Sequence, residues 1–241
     1  MHQHSWFLTN TYSNTHLPDN YSLSKRHHQL FMKRLREFFP SNNIRYVVCG
    51  EYGSQSLRPH YHYVLFGINF GDLKVYRRTL RGHIIYSSQK LNDLWQLGEC
   101  TLARFTPQTG SYVAGYITKS FKTSDTEARE AWSTRIHPLT GEQVRVIPEF
   151  LLASRRPGIG LPWFEKYGEN LKYDDFIIVD GLKRPVPPYF LNKLPPEFLE
   201  VVKQRRKEIG KQLKHDQTEQ RLMDKHDLAI LDDSDKQRKG D

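Results

Sequence analysis

At 241 residues the chain has room for one large domain, or for one compact domain with appendages, and is too short for a multi-enzyme assembly. Lys and Arg number 36 against 27 Asp and Glu, a net charge of +9 that points to a polyanionic partner, nucleic acid before anionic membrane. A 37% hydrophobic and 12% aromatic content supports a folded core and excludes global disorder. No apolar run approaches the roughly 20 residues of a membrane-spanning helix, and the start, Met1 to Trp6, lacks a basic segment followed by an apolar one, so a soluble, intracellular chain is expected. Cys49 and Cys100 are too few for a disulfide framework or a four-thiolate zinc site and read as free, buried thiols.

In chain order, Trp6 to Tyr12 is aromatic and β-branched and reads as a strand ended by the turn-rich Ser13 to Asn20. Ser22 to Phe39 places Leu23, Leu30, Phe31, Leu35, Phe38 and Phe39 at helical intervals, with Ser24 as N-cap, Pro40 past the end, and Lys33, Arg34 and Arg36 as a basic outer face. Ile44 to Glu51 and His60 to Phe66 read as a hairpin, since the eight residues between them contain Gly53 and Pro59. After a loop through Gly82, Ser88 to Leu97 is a helix with Leu91, Leu94 and Trp95 inward, Cys100 to Phe105 a strand, and Gly110 to Phe121 a further helix. The order predicts an α+β fold with a ferredoxin-like or RRM-like antiparallel sheet, β-α-β-β-α-β followed by one more helix. Beyond about residue 122 prolines break the chain into short pieces, and from Glu197 charge alternates over sparse apolar positions. The expected organisation is a core over 1–125, a Pro-rich extension packed on it over 126–196, and a charged helical tail over 197–241, disordered from Asp232.

Arg58-Pro59-His60-Tyr61-His62-Tyr63 is the sharpest local feature. In a strand, His60 and His62 project from one face while Tyr61 and Tyr63 point the other way. Two imidazoles on one face can hold a divalent metal, although a lone His-x-His also describes two half-exposed histidines. Glu51 supplies a third ligand if antiparallel pairing sets it opposite His60 or His62, a register the spacing leaves open. Two histidines and a carboxylate leave coordination positions free, which suits a catalytic Mg²⁺ or Mn²⁺ polarising a phosphoryl oxygen.

The second feature is Tyr112 to Lys119. At 3.6 residues per turn Tyr112, Tyr116 and Lys119 share a face, while Val113, Ile117 and Phe121 form a separate apolar stripe that would bind this helix to the core. Two tyrosines on a surface helix are ordinary. A phenol is nevertheless a competent nucleophile toward a phosphodiester, and Lys119 can supply positive charge.

Together, Phe7-Leu8-Thr9-x-Thr11-Tyr12, Glu51-Tyr52-Gly53, Arg58-Pro59-His60-Tyr61-His62 and Tyr112-xxx-Tyr116-xx-Lys119 resemble the ordered motifs of HUH endonucleases, the rolling-circle replication initiators. Ser24-Lys25-Arg26, Gly50-Glu51-Tyr52-Gly53, Leu91-Asn92-Asp93-Leu94-Trp95 and Ser154-Arg155-Arg156-Pro157-Gly158-Ile159-Gly160 are more narrowly similar to replication initiation proteins of gokushovirus-type microviruses, from about Phe7 to Tyr167. The resemblance implies metal ligands at His60, His62 and Glu51, nucleophiles at Tyr112 and Tyr116, and the helix lysine at Lys119. It further implies nicking of an origin, a covalent 5′-phosphotyrosine and a 3′-OH primer, with the product strand later rejoined. Each step exchanges one phosphodiester for another, so no small-molecule cofactor is implied besides the divalent ion. Asn10 departs from the family's pattern, where an apolar residue is usual, and the chain begins almost at the first motif, so an upstream segment found in relatives is expected to be absent.

Partners then expected are single-stranded or supercoiled origin DNA and, because no GxxxxGK[ST] loop is present, a host helicase and DNA polymerase in the host cell cytoplasm, with no membrane. Candidate DNA contacts are Arg58, Arg77-Arg78-x-x-Arg81, Lys33-Arg34-x-Arg36 and Arg155-Arg156. His2, His4, His27, His28, His137, His215 and His226 lack ligand spacing and read as surface residues. Two other classes fit parts of the pattern: a non-catalytic ferredoxin-like single-stranded nucleic-acid binder stacking bases on Tyr61 and Tyr63, and a two-histidine, one-carboxylate non-haem iron oxygenase. Residues 1–120 hold 14 Lys and Arg against 6 Asp and Glu, so nearly all the surplus charge lies with the motifs.

Overall fold

Alternation of period two in the strands and of period 3.6 in the helices resolves into an antiparallel sheet with two helices on one face. The computed structural model describes residues 2, 4–80, 82–106, 109–110, 113, 115, 133–179, 181–212 and 218–238. In order come β1 (Ser5–Thr11), α1 (Lys25–Phe38), β2 (Arg45–Tyr52), β3 (Pro59–Phe66), β4 (Lys74–Arg78), β5 (Ile84–Ser87), α2 (Gln89–Trp95), β6 (Cys100–Arg104), β7 (Thr134–Ile136), β8 (Gln143–Arg145) and β9 (Phe150–Ala153). The main sheet runs β4-β5-β6-β1-β3-β2-β9. Its centre, β6-β1-β3-β2, is the ferredoxin-like order expected from the sequence. Two additions flank it: the segment around Gly82, expected as a loop, is the β4–β5 hairpin on one edge, and β9, from the Pro-rich half, pairs with β2 on the other.

The core lies between the sheet and the helices. Trp6, Leu8, Tyr61, Tyr63 and Leu65 point inward, and Phe31 and Leu35 of α1 meet Leu91 and Trp95 of α2 above them. Ser24 caps α1 by accepting from the His27 amide, and Ser88 caps α2 through the Leu91 amide. The inner stripe of α1 is His28, Phe31, Met32 and Leu35, whereas Phe38, expected inside, is half exposed. Arg34 leaves the expected basic outer face and bonds the carbonyls of Leu94 and Trp95 at 2.6 and 3.0 Å, satisfying the C-terminus of α2. At Gly67, which ends β3 with φ +81°, a Cβ would sit 2.5 Å from the Asn43 carbonyl oxygen, so the turn requires glycine.

Hydroxyl groups of inward tyrosines tie the sheet to the start of α1. Tyr61 Oη meets Tyr12 Oη at 2.8 Å and accepts from the Ser24 amide at 2.9 Å. Tyr52 Oη accepts from the Leu23 amide at 2.9 Å and donates to the Ile147 carbonyl at 2.7 Å. Full burial of Tyr61 and Tyr63 removes them as a base-stacking surface. Three histidines expected at the surface are structural instead: His28 bonds Tyr63 Oη at 3.1 Å, His27 bonds Tyr12 Oη at 2.7 Å, and His137 is buried with Nε2 2.7 Å from the Asp19 carbonyl. Spacing rules for metal ligands do not detect them because each serves as a hydrogen-bonding core side chain.

The chain divides between Ile159 and Gly160 into two compact units. The second contains α3 (Leu161–Tyr167), the hairpin β10 (Phe176–Val179) and β11 (Leu182–Pro185), α4 (Pro188–Leu191), α5 (Pro196–Gln212) and α6 (Glu219–Arg238). Leu171, Val186, Leu191, Leu194 and Val202 form its own small core, and Arg206 on α5 pairs bidentately with Asp175. Backbone helix continues through Asp232 to Arg238, where the sequence predicts fraying. Among the described residues no helix is long and apolar enough to cross a membrane.

Asn10, the departure noted in the first strand, is fully buried on the core side between Tyr61 and Cys100, and neither amide atom has a hydrogen-bond partner among the described residues. An unpaired buried amide is costly, so Asn10→Leu should stabilise the fold by about 1–2 kcal/mol in urea denaturation; a lower midpoint would contradict this. His28 is held at about 4, first by burial and then by the Arg36 charge, against 6.5 when solvated. The folded state keeps it neutral while the unfolded chain protonates it, so its contribution is complete above pH 6.5 and is lost as pH falls toward 4. The loss should reach on the order of 3 kcal/mol. Urea midpoints of His28→Gln should decline less than wild type across that window, and parallel declines would exclude His28 as a source.

Candidate metal centre

Pairing of β2 with β3 sets Glu51 against His60 and Cys49 against His62, and β1 on the other side sets Thr11 against His60 and Thr9 against His62. The open register is thereby resolved in favour of a shared face, the one opposite the helices. Glu51 Oε2 lies 3.5 Å from His60 Nε2 and 3.4 Å from His62 Nε2, and the three ligand atoms fall within 4.8 Å of one another. Oε2 is buried and has no geometrically sound hydrogen bond.

The ring orientations follow from what holds the other nitrogens. His60 Nδ1–H donates to the Arg58 carbonyl at 3.2 Å, and His62 Nδ1 lies 3.0 Å from Thr9 Oγ1. A ring that donates from Nδ1 keeps its lone pair on Nε2, the atom facing the carboxylate in both residues. Phe7 stacks on His62 with centroids 5.4 Å apart, fixing the ring plane.

Electrostatics favour an ionised carboxylate here. Burial would raise the Glu51 pKa, but its contacts with His60 and His62 bring it down to about 2. Burial depresses His62, helped by the neighbouring His60 charge. His60 moves up, because its bonds to Glu51 and the Arg58 carbonyl and the Glu51 and Glu149 charges outweigh burial. An orphaned anionic oxygen and two convergent imidazole nitrogens are a donor set that fits a divalent cation, and three protein ligands leave positions for substrate oxygen or water. Cys49, although it neighbours His62, is no thiolate ligand: burial, with Glu51 and Glu149 nearby, pushes its thiol up to about 12.

Tyr112, Tyr116 and Lys119 lie outside the described residues, as do Ile117 and Phe121 of the apolar stripe. Val113 is helical and buried, packed with Cys49 and Val64 on the sheet face that carries the histidines. Arg58 is engaged in the fold, donating to Asn14 Oδ1 and the Tyr12 carbonyl at 2.9 Å each. Arg77 and Arg78 are exposed on β4, and Arg155 and Arg156 are exposed after β9. None of these four is among the residues of the carboxylate–histidine cluster. Sequence reasoning does not single out Thr9, Phe7 or Glu149. The first two are accessible from alternation along β1, since residues 7, 9 and 11 share the histidines' face once β1 pairs with β3.

Because Thr9 fixes the His62 ring, Thr9→Val should weaken Mn²⁺ binding roughly 10–100-fold in isothermal titration calorimetry while leaving the fold intact. Unchanged affinity would remove Thr9 from the site.

Comparison with known proteins agrees with this geometry. Residues 5–121 match the family described as replication-associated protein ORF2. The chain is 30% identical over 200 residues to replication-associated protein ORF2 of Spiroplasma virus 4, covering 78% of this chain and 57% of that protein. It is 30% identical over 192 residues to replication-associated protein VP4 of Bdellovibrio phage phiMH2K, covering 76% and 56%, and 28% identical over 200 residues to replication-associated protein ORF4 of Chlamydia phage 1, covering 80% and 46%. It therefore spans about half the length of these curated relatives. No solved structure matches it. Through residues 5–121, which hold the carboxylate–histidine cluster and the sheet that builds it, the chain belongs to the ORF2 family of phage replication-associated proteins.

Proposed function

We propose that this protein initiates rolling-circle replication of a small phage genome by nicking its origin through a tyrosine. The observation that carries the reading is Val113, which packs on Cys49 and Val64 on the same sheet face as Glu51, His60 and His62. A helix continuing from that anchor carries Tyr112, Tyr116 and Lys119 in its sequence. Glu51, His60 and His62 would hold Mg²⁺ or Mn²⁺, with the two imidazoles favouring Mn²⁺. When bound, such an ion withdraws charge from a phosphoryl oxygen of the scissile phosphate.

The chain's residues do the rest. One tyrosine phenolate attacks phosphorus, forming the tyrosyl O–P bond as the bond to the 3′ oxygen breaks. The departing oxygen takes up a proton and becomes the 3′-OH primer, while the 5′ phosphate stays on the enzyme. Lys119 offers positive charge to the phosphate as negative charge builds. The second tyrosine performs the reverse kind of transfer after one round, so the free 3′-OH rejoins the product strand. Thr9 and the Arg58 carbonyl keep both Nε2 atoms aimed at the carboxylate throughout. The substrate is single-stranded or supercoiled origin DNA, and a host helicase and polymerase in the host cell cytoplasm supply unwinding and synthesis.

A labelled origin oligonucleotide incubated with Mn²⁺ should become covalently attached to wild-type protein, and Tyr112→Phe/Tyr116→Phe should abolish the adduct in denaturing gels. An adduct of undiminished yield in the double variant would overturn the tyrosine assignment.

A further inference from the structure

The hairpin β4–β5 sits on the edge of the sheet away from β9, and all five residues of β4 are exposed. Pairing between the two strands continues through Arg77↔Ile85 and Arg78↔Ile84, whereas β5 pairs with β6 only at Tyr86↔Leu102 and Ser87↔Thr101. The outer part of the hairpin thus extends beyond its pairing with the sheet as a two-stranded ribbon. Its turn is held by hydrogen bonds: Gly82 N–H to the Thr79 carbonyl at 2.9 Å, Thr79 N–H to the His83 carbonyl at 2.9 Å, and His83 N–H to Thr79 Oγ1 at 3.1 Å.

Its charge is one-sided. From Leu73 to Lys90 the sequence has no Asp or Glu, while Lys74, Arg77, Arg78 and Lys90 are basic. Asp72, at the base, is already engaged by the Ser88 hydroxyl at 2.7 Å and the Lys90 amide at 3.0 Å. Tyr76 and Val75 are more than half exposed, and Leu80 at the tip is fully so.

We propose that this ribbon binds double-stranded DNA next to the nicking site. A two-stranded β-ribbon fits the major groove of B-form DNA, and arginines on both of its faces can reach the phosphates of both groove walls. Register links the ribbon to the metal centre: Lys74 pairs with Ser87, Ser87 with Thr101, Thr101 with Thr9, and Thr9 with His62. This row lies on one sheet face and spans four strand spacings, roughly 19 Å. A duplex held by the ribbon therefore delivers a strand onto the face that carries Glu51, His60 and His62. The inference rests on the proposed reading that the chain acts on DNA.

The full chain and Arg77→Glu/Arg78→Glu should be compared by fluorescence anisotropy with a labelled mixed-sequence duplex of about 20 base pairs, and with a single strand of the same length, over about 50–200 mM salt. Thermal midpoints verify that the variant is folded. The expected result is a duplex affinity at least roughly tenfold weaker, a log–log salt slope shallower by about 2, and unchanged single-strand affinity and Mn²⁺-dependent single-strand nicking. Unchanged duplex affinity and slope would overturn the proposal and leave the arginines as guards of an edge strand. Equal losses on duplex and single strand would overturn it as well, as would wild-type protein that binds phosphatidylglycerol vesicles but not the duplex. Absence of nicking by the wild-type protein would instead strike the proposed function, while the duplex measurement would still read the ribbon.

Discussion

The pairing register of β2 against β3 is the constraint on which the rest depends. Glu51 opposite His60 places one carboxylate and two imidazoles on the same face. A slip of one residue would send the histidines under α1 and turn Tyr61 and Tyr63 out. What prevents the slip is the buried face. Tyr61 and Tyr63 are fully enclosed, with hydroxyls bonded to Tyr12, to the Ser24 backbone and to His28. A displaced strand would leave those partners unsatisfied in the interior, where each unpaired polar group is expensive. The core therefore specifies the metal centre from the opposite side of the sheet.

This arrangement separates stability from chemistry residue by residue along a single strand. Odd positions of β3 anchor α1, and even positions carry the ligands. β1 repeats the division, with Trp6 and Leu8 in the core and Phe7 and Thr9 positioning His62. Asn10 is the exception on that strand, a polar side chain on the core side with no described partner.

Much of this is legible in the sequence because local rules govern it. The cap at Ser24, the inward Leu91, Leu94 and Trp95, and the His60–His62 alternation follow from periodicity and capping chemistry, and the strand order follows from the element order. The register is not, because spacing between two strands fixes only a parity until the turn geometry is known. β9 escapes a reading by periodicity since a four-residue strand among prolines has little of it, and it exists through pairing with β2. The β4–β5 hairpin escapes too, because a fully exposed edge strand shows no alternation of burial. His28 and His137 are misplaced by side-chain type alone, whereas burial and hydrogen bonding decide their role.

The most direct measurement is anomalous diffraction from crystals soaked in Mn²⁺. The account predicts one strong peak within bonding distance, roughly 2–2.3 Å, of a Glu51 carboxylate oxygen and of Nε2 of both His60 and His62. A peak bonded through Nδ1, or an empty site with Mn²⁺ bound elsewhere on the chain, would contradict it.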